Sequence, residues 1–117
     1  MNASSSSPSL MIGFRSGKRR LIVDLRQIHR IQASNNRSLV FTAREPLVVD
    51  ESLGAVLERL PADQFMRVSR SHVVNKHWVA SLKPCLHGDQ TLFLRNGAEV
   101  RLSRTRRAEC MRWLGLE

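Results

Sequence analysis

Two short segments place arginine where its side chain can reach a partner from a rigid edge. The first, residues 65–76, reads FMRVSRSHVVNK, and the second, Ser103-Arg104, opens a basic stretch near the C-terminus. In both, the arginine follows a strand-like apolar segment. A guanidinium group presents its N–H donors in a fixed fork that matches the acceptor edge of guanine or a phosphate. The two segments therefore predict side chains that contact a nucleic acid.

The charge of the chain favours the same class of partner. Its 117 residues carry 19 Lys and Arg against 10 Asp and Glu, a formal net charge of +9. Such an excess favours polyanions, either nucleic acid or an anionic membrane surface. The densest basic stretch, opposed only by Glu109, comprises Arg101, Arg104, Arg106, Arg107 and Arg112. Cations near the start of a helix oppose its dipole, and a bound anion would offset that cost.

Length and cysteine content limit the class of protein. A chain of 117 residues fits one domain with a real core. Cys85 and Cys110 form no disulfide framework, and the sequence shows neither a secretory signal nor an apolar run long enough for a bilayer. We therefore expect a cytoplasmic protein without a membrane partner. The Ser-rich residues 1–9 are predicted to be a disordered tail or linker, and residues 10–117 the folded domain.

Short β-branched and aromatic runs separated by turn residues predict a mainly β fold. An amphipathic helix over Leu53–Leu60, capped by Asp50 or Ser52, interrupts them. Residues 72–76 are interpreted as a connection between strands. The predicted strands cover residues 10–14, 20–25, 28–33, 39–42, 47–49, 65–68, 78–82, 90–95 and 98–102.

The C-terminal part of the sequence carries the clearest local signals. Asn96-Gly97 between two strands predicts a hairpin with a type I′ turn, in which both central residues need a positive φ. A helix capped by Ser103 follows, with Ala108, Met111 and Leu114 on one stripe and Gly115 as its stop.

The order of these elements resembles the LytTR DNA-binding domain of bacterial response regulators in the LytR/AlgR group. The resemblance runs from about Gly13 to Leu114 and is most specific in residues 65–75, FMRVSRSHVVN, combined with residues 100–104, VRLSR. It implies an elongated, antiparallel β-sandwich-like fold whose loops enter the major groove. It also implies direct-repeat promoter sites occupied by two protomers, with no enzymatic activity, cofactor or small-molecule substrate.

The resemblance assigns base contacts to three segments. They are the loop before the fourth strand, the Arg-Ser turn and the start of the terminal helix, which correspond here to Asn35, Asn36 and Arg37, to Arg70, and to Arg104. Arginine can pair with guanine and asparagine with adenine through two hydrogen bonds. Asn75 is expected to fix a buried turn instead.

Other polar and basic residues suit the phosphate backbone, because point charges at strand ends position a duplex without reading it. This predicted set is Lys18, Arg19, Arg67, Ser69, Lys76, Arg101, Arg106 and Arg107. Ser69 stands where many family members have histidine, and its shorter side chain does not reach as far as an imidazole. The receiver domain usual in the family has no room before Leu10, so the chain is expected to be either a stand-alone protein or an excised domain.

Other classes of function fit the sequence less well. Cys85 and His87 could ligate a metal, but their spacing matches no standard zinc site. The aspartates are scattered, as in caps and turns, and Ser71, His72 and Asp89 lack the glycine-rich segment of a hydrolase. An RNA-binding β protein is the main alternative, for which Phe93 and Trp78 are the candidate stacking residues. A partner-binding module would require an exposed apolar patch.

Overall fold

The computed structural model describes residues 10–85 and 88–116, in which strands dominate. The predicted N-terminal tail and His87 lie outside the described residues. The strands are β1 (Met11–Ser16), β2 (Arg19–Asp24), β3 (Arg30–Ser34), β4 (Arg37–Phe41), β5 (Leu47–Val49), β6 (Phe65–Ser69), β7 (His72–Asn75), β8 (Val79–Pro84), β9 (Gln90–Leu94) and β10 (Glu99–Leu102). The helices are α1 (Leu53–Glu58) and α2 (Arg107–Trp113), and 3-10 turns cover Leu25–Gln27, Lys76–Trp78 and Arg104–Arg106.

A five-stranded antiparallel sheet in the order β5-β4-β3-β7-β6 separates two hydrophobic cores. The β1–β2 hairpin and α1 pack on one face, where Phe14 and Val56 meet sheet residues such as Val73. The three-stranded sheet β10-β9-β8 and α2 pack against the other face, where Leu92 and Cys110 belong to the same cluster as Val74. Successive strand residues point to opposite faces, so Val73 and Val74 serve different cores. The predicted mainly β class with an internal and a C-terminal helix is confirmed.

The prediction that residues 72–76 form a connection was wrong, because β7 is a strand in the interior of the five-stranded sheet. It pairs with both β3 and β6. Val73, Val74 and Asn75 are all fully buried, so the segment lacks the polar alternation that marks a half-exposed strand. Asn75 has the predicted structural role: its amide donates to the carbonyls of Leu25 at 3.2 Å and Ile28 at 2.9 Å.

The tight type I′ geometry occurs at a different turn from the one predicted. Asn35 (φ 49°) and Asn36 (φ 65°) both have positive φ in the two-residue turn between β3 and β4. The Asn96-Gly97 hairpin is present, but only Gly97 (φ 91°) has positive φ. The Gly97 N–H donates to the Leu94 carbonyl, and the Leu94 N–H donates to the Ala98 carbonyl, both at 2.9 Å. This is a three-residue loop with glycine at the left-handed position, not a type I′ turn.

Helix ends differ from the predictions in part. Ser52 caps α1, since its hydroxyl accepts the Ala55 N–H at 3.2 Å. Ser103 makes no side-chain cap bond, because the chain first forms the 3-10 turn Arg104–Arg106. Ala108, expected on the buried stripe of α2, is exposed, and Cys110 takes the central buried place. Gly115 (φ 77°) ends the helix as predicted.

No helix within residues 10–85 and 88–116 combines the length and apolar composition needed to cross a lipid bilayer.

Candidate nucleic-acid interface

Two of the predicted reading segments lie side by side at one end of the five-stranded sheet. Because β3 and β7 are antiparallel neighbours, the turn that follows β3 and the turn that precedes β7 lie at the same end of the sheet. The Ala33 N–H donates to the Ser71 carbonyl at 2.8 Å and joins the two turns. The fold thus places Asn35 and Asn36 next to Arg70.

The third predicted segment joins them from the other sheet. The Ser103 N–H donates to the Val68 carbonyl at 2.8 Å, which fixes the end of β10 beside the end of β6. Arg104 follows directly, and a groove runs between this segment and the β6–β7 turn. The groove is lined by Ser69, Arg70, Ser71, His72, Arg101, Ser103, Thr105 and Arg106. We call the surface formed by Asn35–Arg37, Arg70–Ser71 and Ser103–Arg104 the reading edge.

Arg67 stabilises the β6–β7 turn by donating hydrogen bonds to its backbone. Its guanidinium donates to the carbonyl of Arg70 at 2.6 Å through Nη2 and to that of Ser69 at 3.3 Å through Nε. The Ser69 hydroxyl in turn accepts the Ser71 N–H at 3.3 Å. Arg70 itself is exposed. In this arrangement Arg67 and Ser69, both predicted to contact phosphate, build the turn that presents Arg70.

The loop between β8 and β9 supports the third segment. Asp89 forms a 2.5 Å ion pair with Arg101, which offsets part of the charge expected to face phosphate. Gly88 (φ 83°) lies against the side chain of Arg104, so that a methyl group at Gly88 would be 2.8 Å from the Arg104 Cδ. Sequence reasoning missed this contact, although an isolated glycine in a polar loop is a recognised sign of close approach.

The tip of the β1–β2 hairpin reaches the same end of the molecule. The Gly17 N–H donates to Asp50 Oδ2 at 2.6 Å, and the other carboxylate oxygen of Asp50 lies 3.2 Å from Arg37 Nε. Lys18 and Arg19, both exposed, thereby stand beside the β3–β4 turn. Asp50 was expected only as a possible helix cap, a role that Ser52 fills.

Lys76 is the one predicted contact that the structure places away from this surface. It follows the opposite end of β7, roughly 16 Å along the strand from Ser71 at about 3.3 Å per residue. Its ammonium lies 4.9 Å from the centre of the Trp113 ring. Arg106 and Arg107 begin the last helix, where Arg106 is half-buried at the groove and Arg107 is exposed.

One titratable side chain near the reading edge, that of His72, is half-buried. Burial lowers the pKa of His72, and the charge of Arg30 lowers it further, which favours the neutral imidazole. In the described part of the chain, no group of three His, Cys, Asp or Glu side chains is placed to hold a metal ion. Nor is any aromatic side chain there among the large exposed apolar residues.

The candidate stacking residues for RNA are both half-buried, and Trp78 has partners inside the protein. Trp78 lies 3.8 Å from His29 between ring centres, and its indole N–H donates to the Arg26 carbonyl at 2.9 Å. Phe93 is half-buried in β9. Neither forms the open aromatic platform on which unpaired bases stack.

Comparisons with known proteins identify relatives of this chain. The "Sensory transduction protein LytT" of Bacillus anthracis is 28% identical over 85 residues, and that of Bacillus subtilis is 28% identical over 89 residues. These alignments cover 73% and 76% of this chain but only 35% and 37% of the relatives, so the chain spans about a third of their length.

A solved structure and a family model cover more of the chain. The LytTr DNA-binding domain of a methyl-accepting/DNA response regulator from Bacillus cereus superposes with a TM-score of 0.80 over 92% of this chain and 99% of that one, at 21% identity. At that identity the likeness concerns the fold. The family model described as "LytTr DNA-binding domain" matches residues 18–115, which include the whole reading edge. This chain belongs to the LytTr DNA-binding domain family.

Proposed function

We propose that the reading edge recognises a specific duplex DNA sequence by inserting its three turns into the major groove. The observation that carries the proposal is the convergence of Asn35–Arg37, Arg70 and Arg104 at one end of the fold, through backbone bonds between elements distant in sequence. DNA binding itself follows from the family. The groove and the contacting residues are those that the family resemblance implies, and they are proposed here for this chain.

The residue types at the reading edge suit base recognition. Arginine donates to guanine O6 and N7, and asparagine pairs with adenine N6 and N7, each worth about 1–3 kcal/mol of discrimination. Arg70 and Arg104 are exposed, and Asn35 and Asn36 occupy the tip of a type I′ turn. We assign these four residues and Arg37 to base contacts.

The eight predicted phosphate contacts divide into four groups by their surroundings. Lys18, Arg19, Arg106 and Arg107 flank the reading edge and are proposed as direct contacts. Arg101 can contact phosphate while it keeps its ion pair with Asp89. Arg67 and Ser69 are proposed to act by shaping the β6–β7 turn, and Lys76 to have no part in this surface.

The biological setting proposed here is transcription regulation in the bacterial cytoplasm. The relatives named sensory transduction protein are about three times as long as the matched segment, so such a domain can serve as the output module of a larger regulator. We propose that two copies occupy direct repeats in a promoter.

Selection from a random-sequence duplex library, followed by sequencing, tests the proposal and identifies the operator in the same experiment. We expect a motif with two similar half-sites in the same orientation. Fluorescence anisotropy then compares the selected duplex with a scrambled duplex and with single-stranded RNA, over a range of salt concentrations.

The expected result is a preference of about 10³-fold or more for the selected duplex over the scrambled one, as for other specific DNA-binding proteins. Tighter binding to RNA than to either duplex would overturn the proposal. A single half-site or inverted half-sites would overturn only the direct-repeat arrangement.

A further inference from the structure

We infer that Asp50 is a positioning residue for DNA recognition: it orients the Arg37 guanidinium toward the bases and fixes the β1–β2 tip beside it. The inference rests on the proposed function, in which Arg37 contacts a base. It assigns a role in DNA recognition to an acidic residue, whereas a DNA-binding surface is expected to use basic ones.

Both oxygens of the Asp50 carboxylate are engaged, and each by a different element. Oδ2 accepts the Gly17 N–H at 2.6 Å from the tip of the β1–β2 hairpin, and Oδ1 lies 3.2 Å from Arg37 Nε at the start of β4. The carboxylate therefore connects two separate sheets at the point where both reach the reading edge.

The backbone around Asp50 is fixed as well. Its N–H donates to the Arg15 carbonyl at 2.8 Å, and its own carbonyl accepts from the Arg15 guanidinium at 2.9 Å. These bonds leave the carboxylate little freedom to follow the Arg37 side chain. Arg37 must instead adapt to the carboxylate, and its orientation is thereby set before DNA arrives.

Stability alone gives a weak reason for this ion pair. The Arg37 side chain is 63% exposed, and exposed ion pairs contribute little to folding. A carboxylate at a surface that binds a polyanion also repels the phosphates. The geometry offers an explanation, because an ion pair at Nε leaves Nη1 and Nη2 at the far end of the fork, where they can donate to a base.

The substitution Asp50→Asn separates the two contacts. An asparagine oxygen can still accept the Gly17 N–H, but its uncharged NH₂ group cannot form the ion pair with Arg37. The variant therefore keeps the hairpin tip in place and releases Arg37. Glu45→Gln is the matched control, since it removes one carboxylate charge from an exposed residue in the loop at the other end of β4.

The test is a double-mutant cycle on specificity. Anisotropy gives the ratio of affinities for the selected and scrambled duplexes for the native protein, Asp50→Asn, Arg37→Ala, the double variant and Glu45→Gln. If Asp50 acts through Arg37, Asp50→Asn lowers the ratio by roughly 5- to 20-fold, within the value of one base contact. The double variant then has the ratio of Arg37→Ala alone. Glu45→Gln leaves the ratio unchanged.

Simple electrostatic repulsion predicts a different pattern. Loss of the carboxylate would tighten binding to both duplexes equally, leave the ratio unchanged and add to the effect of Arg37→Ala. That result, with a native protein that does prefer its selected duplex, overturns the inference and leaves the proposed function intact. A native protein without sequence preference overturns both. Thermal unfolding of each variant shows that the ratios are compared between folded proteins.

Discussion

The arginines near the reading edge have different neighbours, and the roles that we propose for them differ on that ground. Arg67 donates into the backbone of the β6–β7 turn, Arg101 pairs with Asp89, and Arg37 pairs with Asp50. The sequence placed Arg67 and Arg101 in one phosphate-binding group. Their partners in the fold, the Arg70 carbonyl for Arg67 and the Asp89 carboxylate twelve residues away for Arg101, cannot be recognised from the sequence. Residue type predicted one set of contacts, and tertiary contacts give the members of that set different surroundings.

Arg70→Ala and Arg104→Ala should each erode sequence preference. Each loses one bidentate base contact, so discrimination between selected and scrambled duplex should fall by about 1–3 kcal/mol. Arg107→Ala is the control, because an exposed phosphate contact supports binding to every duplex. It should weaken both affinities equally and reduce the salt slope by about one unit. Anisotropy across salt distinguishes these outcomes, and an unchanged preference in Arg70→Ala would contradict the base assignment.

Gly88→Ala should disturb DNA recognition by Arg104, although Gly88 itself is not proposed to contact DNA. The new methyl group would lie 2.8 Å from the Arg104 Cδ, so that side chain has to move. The positive φ of Gly88 adds a backbone cost of about 1 kcal/mol. We expect a small loss of stability and a selected motif altered at the same positions as in Arg104→Ala. Gly97→Ala, also at positive φ but with open space around it, is the control that should leave the motif unchanged.

At the scale of elements, periodicity predicted well where one face of a strand or helix is exposed. The bounds of β5 and the start of α1 at Leu53 agree with the structure. The failure at β7 has a physical cause, because a short strand buried on both faces has no alternating pattern. The prediction of a type I′ turn at Asn96-Gly97 was wrong because the same dipeptide also fits a longer loop with glycine at the left-handed position. The three turns come together at the reading edge because distant strands pair with one another. This pairing cannot be recognised from a single sequence.

The β6–β7 turn gives a prediction that separates two roles for Arg67. If Arg67 supports the turn, Arg67→Ala removes two hydrogen bonds from a charged donor and should lower the free energy of unfolding by about 1.5–3 kcal/mol. It should also reduce the base preference of the selected motif at the positions that Arg70 is proposed to contact. Urea unfolding and library selection measure these effects. A variant of native stability whose only change is a salt slope lower by about one unit would show instead that Arg67 contacts phosphate directly.

At the scale of the whole molecule, the two cores meet near His29. This residue precedes β3, is 3% exposed and contacts the loop between β9 and β10 through Asn96 Nδ2, 2.8 Å from its Nδ1. The Asn96 Oδ1 accepts the Ala98 N–H at 3.1 Å, which orients the amide. Because an amide nitrogen only donates, His29 Nδ1 accepts and the proton of the neutral ring sits on Nε2. Burial lowers the pKa of His29, and the charge of Arg30 acts in the same direction.

These contacts predict that the DNA-free domain loses stability as pH falls below the ordinary histidine pKa of about 6.5. The pKa values of His29 and His72 are lowered in the folded state, so the unfolded chain binds more protons once pH drops below the ordinary histidine value of about 6.5. Each such group can reduce the free energy of unfolding by at most about 1.4 kcal/mol per pH unit. Protonation at Nδ1 would also set two donors against each other at Asn96. His29→Gln should therefore flatten the pH dependence of urea unfolding, whereas His77→Gln, which removes an exposed imidazole, should preserve it. An equally steep dependence in His29→Gln would show that the junction between the cores tolerates a charged imidazole.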